Sequence, residues 1–223
     1  MDFRIVSIGT LSHNELWNEP EPVRTSHATT TLIRSGAHVI LVDPGLPPQV
    51  IGARLNERAG LKTDAVTDVF LTSFRPAHRA GLAAFEHANW LIGERERETI
   101  GRHLIAHLDE EREPMAQRMI QQDVALLKRC RPAPDMLAEH VDLFPLPGFT
   151  PGACGLLLCE PNSTTLIAGD AVATAEHLQQ GRVLPGAYDT DQARESFAEA
   201  IEIADAIIPG HDNIVFNPLR RPM

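Results

Sequence analysis

Four residues whose side chains can bind a metal ion or carry a proton each stand at or just after the end of an apolar run. They are Asp43 in VILVDPG, His78 after VFLTSFRPA, Asp170 in TLIAGDA and His211 in AIIPGHD. Carboxylates and imidazoles at such places are the usual ligands of catalytic metals. If the runs are strands of a layered α/β protein, their ends share an edge, and residues far apart in the chain meet there. Each residue also has an ordinary explanation when taken alone. Asp43 precedes Pro44-Gly45 and can form a turn, Asp170 can cap a short helix over AVATAEHL, and His78 and His211 can be loop histidines. The stretch LTSFRPAHRAGL, Leu71 to Leu82, leaves a strand and opens a helix, where hydrolases often cluster several ligands, yet it holds one histidine.

Other candidates are weaker. His103 and His107 lie four apart, the spacing at which two imidazoles on one helix share a metal, but Leu104 and Leu108 mark the buried stripe beside them and place them at its margin. The run ERERE, Glu94 to Glu98, reads as a solvated helix face. Tyr188, on a loop before a helix, could face a pocket or pack. Ser73 has no base next to it in the sequence, although His78 could reach it. Cys130, Cys154 and Cys159 contain no C-x-x-C pair, and Cys154 and Cys159 lie an odd number of positions apart in an expected strand, so they point to opposite faces. A cysteine metal site is not expected.

The elements that must position these residues follow from periodicity and turn signals. FRIVSIGTL, TTTLIRSG and HVILVDPG read as strands. PQVIGARLNERAG reads as a helix closed by a glycine cap at Gly60. DVFLT and NWLIG are short buried strands, and from about Ile40 onward strand and helix alternate, as in layered α/β proteins. The segment from about 94 to 130 is charged and helical, with Pro114 placed as the first residue of a second helix. Ile120, Val124 and Leu127 give it one apolar face. Interrupting the strand rhythm, it reads as a helical insertion that caps a site or makes a dimer contact, or as an ordinary pair of outer-layer helices. HVDLFPLPG, ACGLLLCE and TTLIAG return to strand. Asp189 with Gln192 opens a helix over QARESFAEAIEIADA, and AIIPG delivers His211.

Composition bounds the partners. A chain of 223 residues with 43% hydrophobic content suits one globular domain. Its 20 basic and 30 acidic residues give a formal charge of -10, which argues against nucleic acid or an anionic membrane as a partner. The start MDFRIVSIGTLSHNELW lacks the pattern of a signal peptide, and the odd cysteine set fits a reducing compartment, so a cytoplasmic protein acting on a small molecule is expected.

Taken together, VDPG, LTSFRPAHRAG, LPGFTPGACGLLL, IAGD and IIPGH, in that order, resemble the metallo-β-lactamase superfamily over nearly the whole chain. The resemblance implies an αββα sandwich with metal ligands on loops at one edge of its two sheets. Laid on the family's His-x-His-x-Asp-His motif, Ser73 and Arg75 occupy the first two histidine positions, Ala77 that of the aspartate, and His78 matches. Phe149 stands at the histidine of the Gly-His-Thr-Pro-Gly element. Asp170 and His211 match the bridging aspartate and the last histidine, and Asp43 an aspartate behind the ligands. The resemblance therefore implies one metal's imidazoles lost together and one divalent metal, zinc, iron or manganese, left on His78, Asp170 and His211.

On that basis two functions are expected. The first is metal-assisted hydrolysis of a small ester, thioester, lactone, amide or phosphoester, with Arg75 and Asp170 as catalytic groups and Arg75 acting as a fixed cation towards a developing oxyanion. The second is a metal-free ligand-binding or regulatory protein in which Arg75 replaces a metal and pairs with Asp170. A single-iron oxygenase is a poor third, because the related iron enzymes use the half of the site that this chain lacks.

Overall fold

The computed structural model describes residues 1–220. One sheet holds six strands side by side in chain order: β1 (Asp2–Ser7), β2 (Thr30–Ser35), β3 (His38–Val42), β4 (Asp68–Leu71), β5 (Asn89–Ile92) and β6 (Arg131–Pro132). The second sheet runs β7 (Met136–Ala138), β8 (Val141–Pro145), β9 (Cys154–Glu160), β10 (Ser163–Gly169), β11 (Ala206–Pro209) and β12 (Val215–Phe216). β1 to β3 pair antiparallel and β3 to β6 parallel. In the second sheet only the β10–β11 pair is parallel.

Parallel neighbours need a crossover. α1 (Pro48–Ala59) links β3 to β4, and α2 (Pro76–Arg79) follows β4. α3 (Glu94–Glu110) and α4 (Pro114–Arg129) lie between β5 and β6. α5 (Ala175–Gln180) and α6 (Thr190–Ile203) lie between β10 and β11. The helix signals read from the sequence are present. Gly60 closes α1 in the left-handed conformation, Pro114 opens α4, and Asp189 accepts hydrogen bonds from the N–H groups of Asp191 and Gln192 at the start of α6.

Alternation along the strands builds the layers. In VILV, Ile40 and Val42 join a cluster with Phe70, Leu156, Ile167 and Ile208 between the two sheets, while Leu41 turns outward to meet Ile51 and Leu55 of α1. Both faces of such a strand are buried, which is why it reads as an unbroken apolar run. On the far side Leu166 and Ile207 meet Phe197 and Ala200 of α6. The result is the αββα layering expected. Ile120 and Leu127 of α4 are buried, and Leu127 packs with Ile100 and Leu104 of α3 against the first sheet. Among the described residues no helix is long and apolar enough to cross a membrane.

Candidate metal centre

The ends of β3, β4, β10 and β11 lie at one edge of the sandwich and bring the four strand-end residues together. Asp43 follows β3 with φ of +49°, a left-handed conformation that aspartate tolerates better than most residues. Its carboxylate accepts the Thr72 N–H at 2.8 Å and the Thr72 hydroxyl at 2.6 Å. Arg75 is held extended before Pro76, as residues preceding proline are. Pro76 then starts the single turn of α2, which carries His78 inward. At the end of β10, Gly169 adopts φ of +53°, and a Cβ there would lie 2.6 Å from Thr72 Oγ1. Only glycine lets the β10 end close on β4 and present Asp170.

His78 is 0% exposed, and Asp170 and His211 are each 4% exposed. Their donor atoms all lie within 4.8 Å of one another. His78 Nε2 is 2.9 Å from Asp170 Oδ2, and His211 Nε2 is 3.0 Å from Asp170 Oδ1. The other nitrogen of each ring faces oxygen acceptors: His78 Nδ1 lies 2.9 Å from Asp43 Oδ2, and His211 Nδ1 lies 3.1 Å from the Thr10 carbonyl and 3.0 Å from that of His27. An imidazole whose Nδ1–H is taken by an oxygen presents Nε2 as its lone-pair donor, which is how metal-ligating histidines are oriented. The donor set therefore fits one divalent ion.

The same groups also form a closed ionic network. Burial alone would lower the His78 pKa, but the Asp170 and Asp43 carboxylates outweigh it and hold it up to about 10. Burial would raise that of Asp170, yet His78 and His211 hold it well below the usual carboxylate range.

The other half of the edge is filled differently. Arg75 Nη1 donates to Asp170 Oδ2 at 2.9 Å, and its guanidinium lies 4.6 Å from the centre of the Phe149 ring. The Ser73 hydroxyl is buried without a hydrogen-bond partner, so it has no base within reach and is no activated nucleophile. Ala77 offers no donor. A second ion, which would need imidazoles at 73, 75 and 149, does not fit. Beside this half lies a cavity of about 360 Å³, to whose wall Arg75, Ala77 and Phe149 contribute together with Asn14, His177 and Leu184.

One residue of the site escapes the sequence reading. Glu96, inside ERERE, is 0% exposed rather than solvated. It accepts the Phe74 N–H at 3.0 Å and the Gly152 N–H at 2.9 Å, tying together the loops that carry Arg75 and Phe149. Burial pushes its carboxyl up despite the two N–H donors. Gly152 fits against α3 because a Cβ would meet the Glu96 nitrogen at 2.2 Å. A glutamate in the first turn after Gly93 is the only signal the sequence offers.

The remaining candidates fall away from the site. The short helix near Asp170 is capped by Thr174, which leaves Asp170 free for the histidines. His103 lies 5.9 Å from the exposed Tyr188 ring, and His107 is 3.8 Å from Glu111. Neither joins a set of three donors among the described residues. Cys154 is buried and Cys159 half-buried, both as free thiols.

Comparison with known proteins identifies a family and a fold. The family profile described as the metallo-beta-lactamase superfamily matches residues 23–211. No curated protein matches the chain. Among solved structures, AidC, a dizinc quorum-quenching lactonase, is similar with a TM-score of 0.69 at 18% identity, over 85% of this chain and 74% of its own. A candidate metallo-beta-lactamase from Thermotoga maritima gives 0.70 at 17% identity, over 96% and 98%. A variant of AiiA from B. thuringiensis, with N-decanoyl-L-homoserine bound at its active site, gives 0.66 at 18% identity, over 94% and 92%. At these identities the likeness is one of fold.

Proposed function

The chain belongs to the metallo-beta-lactamase superfamily, and from that membership we propose that it is a hydrolase using one divalent metal ion on a small carbonyl or phosphoryl compound. The observation that carries this reading is the convergence of His78, Asp170 and His211, all buried, with both imidazoles turned Nε2 inward. Two imidazoles and a carboxylate leave a coordination position open, the arrangement of catalytic zinc and also of iron or manganese sites. Such an ion, when bound, supplies Lewis acidity and lowers the pKa of a bound water towards ~7.

The residues of the chain do the rest. Asp43 fixes the His78 ring through Nδ1, and the Thr10 and His27 carbonyls fix that of His211. Arg75 spends one N–H on Asp170 and keeps the remaining N–H groups of its fork for the substrate. Stacked on Phe149, the guanidinium is held where a carbonyl oxygen entering from the cavity would gain negative charge. Since the similar folds include the lactonase AidC and the AiiA variant with N-decanoyl-L-homoserine bound, an acyl substrate is the better match within this class.

A second reading has its own observation. Asp170 already has Arg75, His78 and His211 around it, so a buried carboxylate is compensated without an ion. In that case the protein binds a ligand at Arg75 and catalyses nothing. Elemental analysis of untagged wild type and Asp170→Asn separates the two. About one metal per chain, lost in the variant, supports the hydrolase. No metal in either protein after zinc addition leaves the ligand-binding reading.

A further inference from the structure

Arg75 faces two ways. One N–H is committed to Asp170, while the residue also lines the cavity of about 360 Å³. Its Nε and Nη2 groups make no hydrogen bond to any described residue. The guanidinium plane is braced by Phe149 at 4.6 Å. A braced planar fork with free N–H groups is a receptor for a planar oxyanion, which it can hold by two parallel hydrogen bonds.

The cavity also has an apolar part to its wall. Asn14 is 2% exposed and lines it; its Oδ1 accepts the Leu16 N–H, but its Nδ2 has no partner. That Nδ2 is itself closed to solvent and gives the cavity no ready donor. The cavity's apolar lining includes Leu11, Leu184 and Pro185, beside the polar Ser12, His13, Ser26 and His177. The single carboxylate on it, Glu15, is exposed and also borders a neighbouring cavity of about 320 Å³.

We infer that this cavity is a binding site for a small aliphatic carboxylic acid, its carboxylate on Arg75 and its chain against Leu11, Leu184 and Pro185. The inference concerns the same edge of the fold as the proposed hydrolase and narrows its chemistry to acyl compounds, whose hydrolysis leaves such an acid. It rests on Arg75, which is charged with or without a metal.

Isothermal titration of sodium hexanoate into the full chain, once stripped with EDTA and once reloaded with zinc, tests it separately from metal content. Saturable one-to-one binding is expected in both states. Losing the bidentate pair in Arg75→Met weakens it about tenfold or more. Ser12→Glu, which sets a carboxylate on the cavity wall and leaves the Arg75–Asp170 bond in place, has the same effect and covers the case in which Arg75→Met does not fold. Hexylamine does not bind, and inorganic phosphate binds more weakly than hexanoate. Absence of saturation in the millimolar range overturns the inference. So does hexylamine or phosphate binding as tightly as hexanoate, or hexanoate affinity unchanged in Ser12→Glu.

Discussion

Arg75 and His78 share one acceptor: Nη1 of the first and Nε2 of the second each lie 2.9 Å from Oδ2 of Asp170. Three residues apart in the chain, they reach that oxygen from either side because Pro76 turns the backbone between them into α2. A guanidinium donates hydrogen bonds and cannot ligate a metal, whereas an imidazole can do either. One side of Asp170 is thereby reserved for a fixed cation. The other can exchange its proton for a metal ion.

The first prediction concerns Arg75. If it stabilises charge developing on a substrate oxygen, Arg75→Ala lowers kcat by ~10²–10³ while metal content stays at wild-type level. Arg75→Lys keeps the charge but loses the planar fork and recovers only part of the rate. Steady-state kinetics on ester and lactone substrates, with metal content measured on the same samples, check this. Unchanged turnover in Arg75→Ala removes the residue from catalysis.

A second prediction concerns Asp43. Its carboxylate holds Thr72 and His78 at the junction of β3 and β4. Asp43→Ala leaves the Nδ1 of the fully buried His78 with only the Thr72 hydroxyl, 3.1 Å away, and breaking a buried pair costs about 3–5 kcal/mol. Urea unfolding should show a loss of that size. Asp43→Asn, which still accepts one hydrogen bond, should lose less.

The third prediction is a pH dependence of the metal-free protein. Burial disfavours a charged His78, yet Asp170 and Asp43 raise its pKa from 6.5 to about 10. A group whose pKa rises on folding contributes stability that is complete below the unfolded value and is lost as the pH climbs through the folded one. Asp170 has the opposite sign: its pKa falls on folding, so its contribution is complete above the ordinary 3.8 and is lost in acid. The network is thus at full strength between about pH 4 and 6.5 and weakens towards pH 10. Melting temperatures in EDTA should fall across the alkaline range, and the slope should flatten in His78→Gln. A flat wild-type profile from pH 6.5 to 9 would count against a charged His78.

How much of this was legible in the sequence depends on the kind of signal. Asp43, His78, Asp170 and His211 were readable because each stands at or just after the end of an apolar run, and strand ends at one edge converge whatever the loop lengths. The layering was readable from runs such as VILV, buried on both faces. The short strands β6, β7 and β12 were not, since two or three residues carry no periodicity and their pairing comes from the neighbouring strand. Glu96 was hidden for a different reason. Charge alternation in ERERE predicts a wet helix face, and nothing local says that two loops 22 and 56 residues away place their N–H groups over one of its acids.

Glu96 supplies a fourth prediction. It is the acceptor for two otherwise unpaired N–H groups, so Glu96→Ala should cost about 2–3 kcal/mol of stability. Because those N–H groups belong to the Phe74 and Gly152 loops, the variant should also loosen Arg75 against Phe149. Hydrogen exchange at Phe74 and Gly152 should accelerate, with the amides of the β9–β10 pair unaffected. Protection unchanged at both positions would mean that Glu96 is dispensable to the loops.

The last prediction tests the metal count. Where the family resemblance expects a second ion's imidazoles stand a hydroxyl without a partner at Ser73, a cation at Arg75 and a ring at Phe149. Their backbones sit on the two loops that Glu96 ties together. Replacing all three, Ser73→His, Arg75→His and Phe149→His, removes the competing cation and supplies three imidazoles beside Asp170. Metal content should rise from about one to about two per chain, with Asp170→Asn abolishing both. A triple variant that folds and still binds one ion would show that the loops have moved too far to rebuild the centre, and that the loss involves backbone as well as ligands.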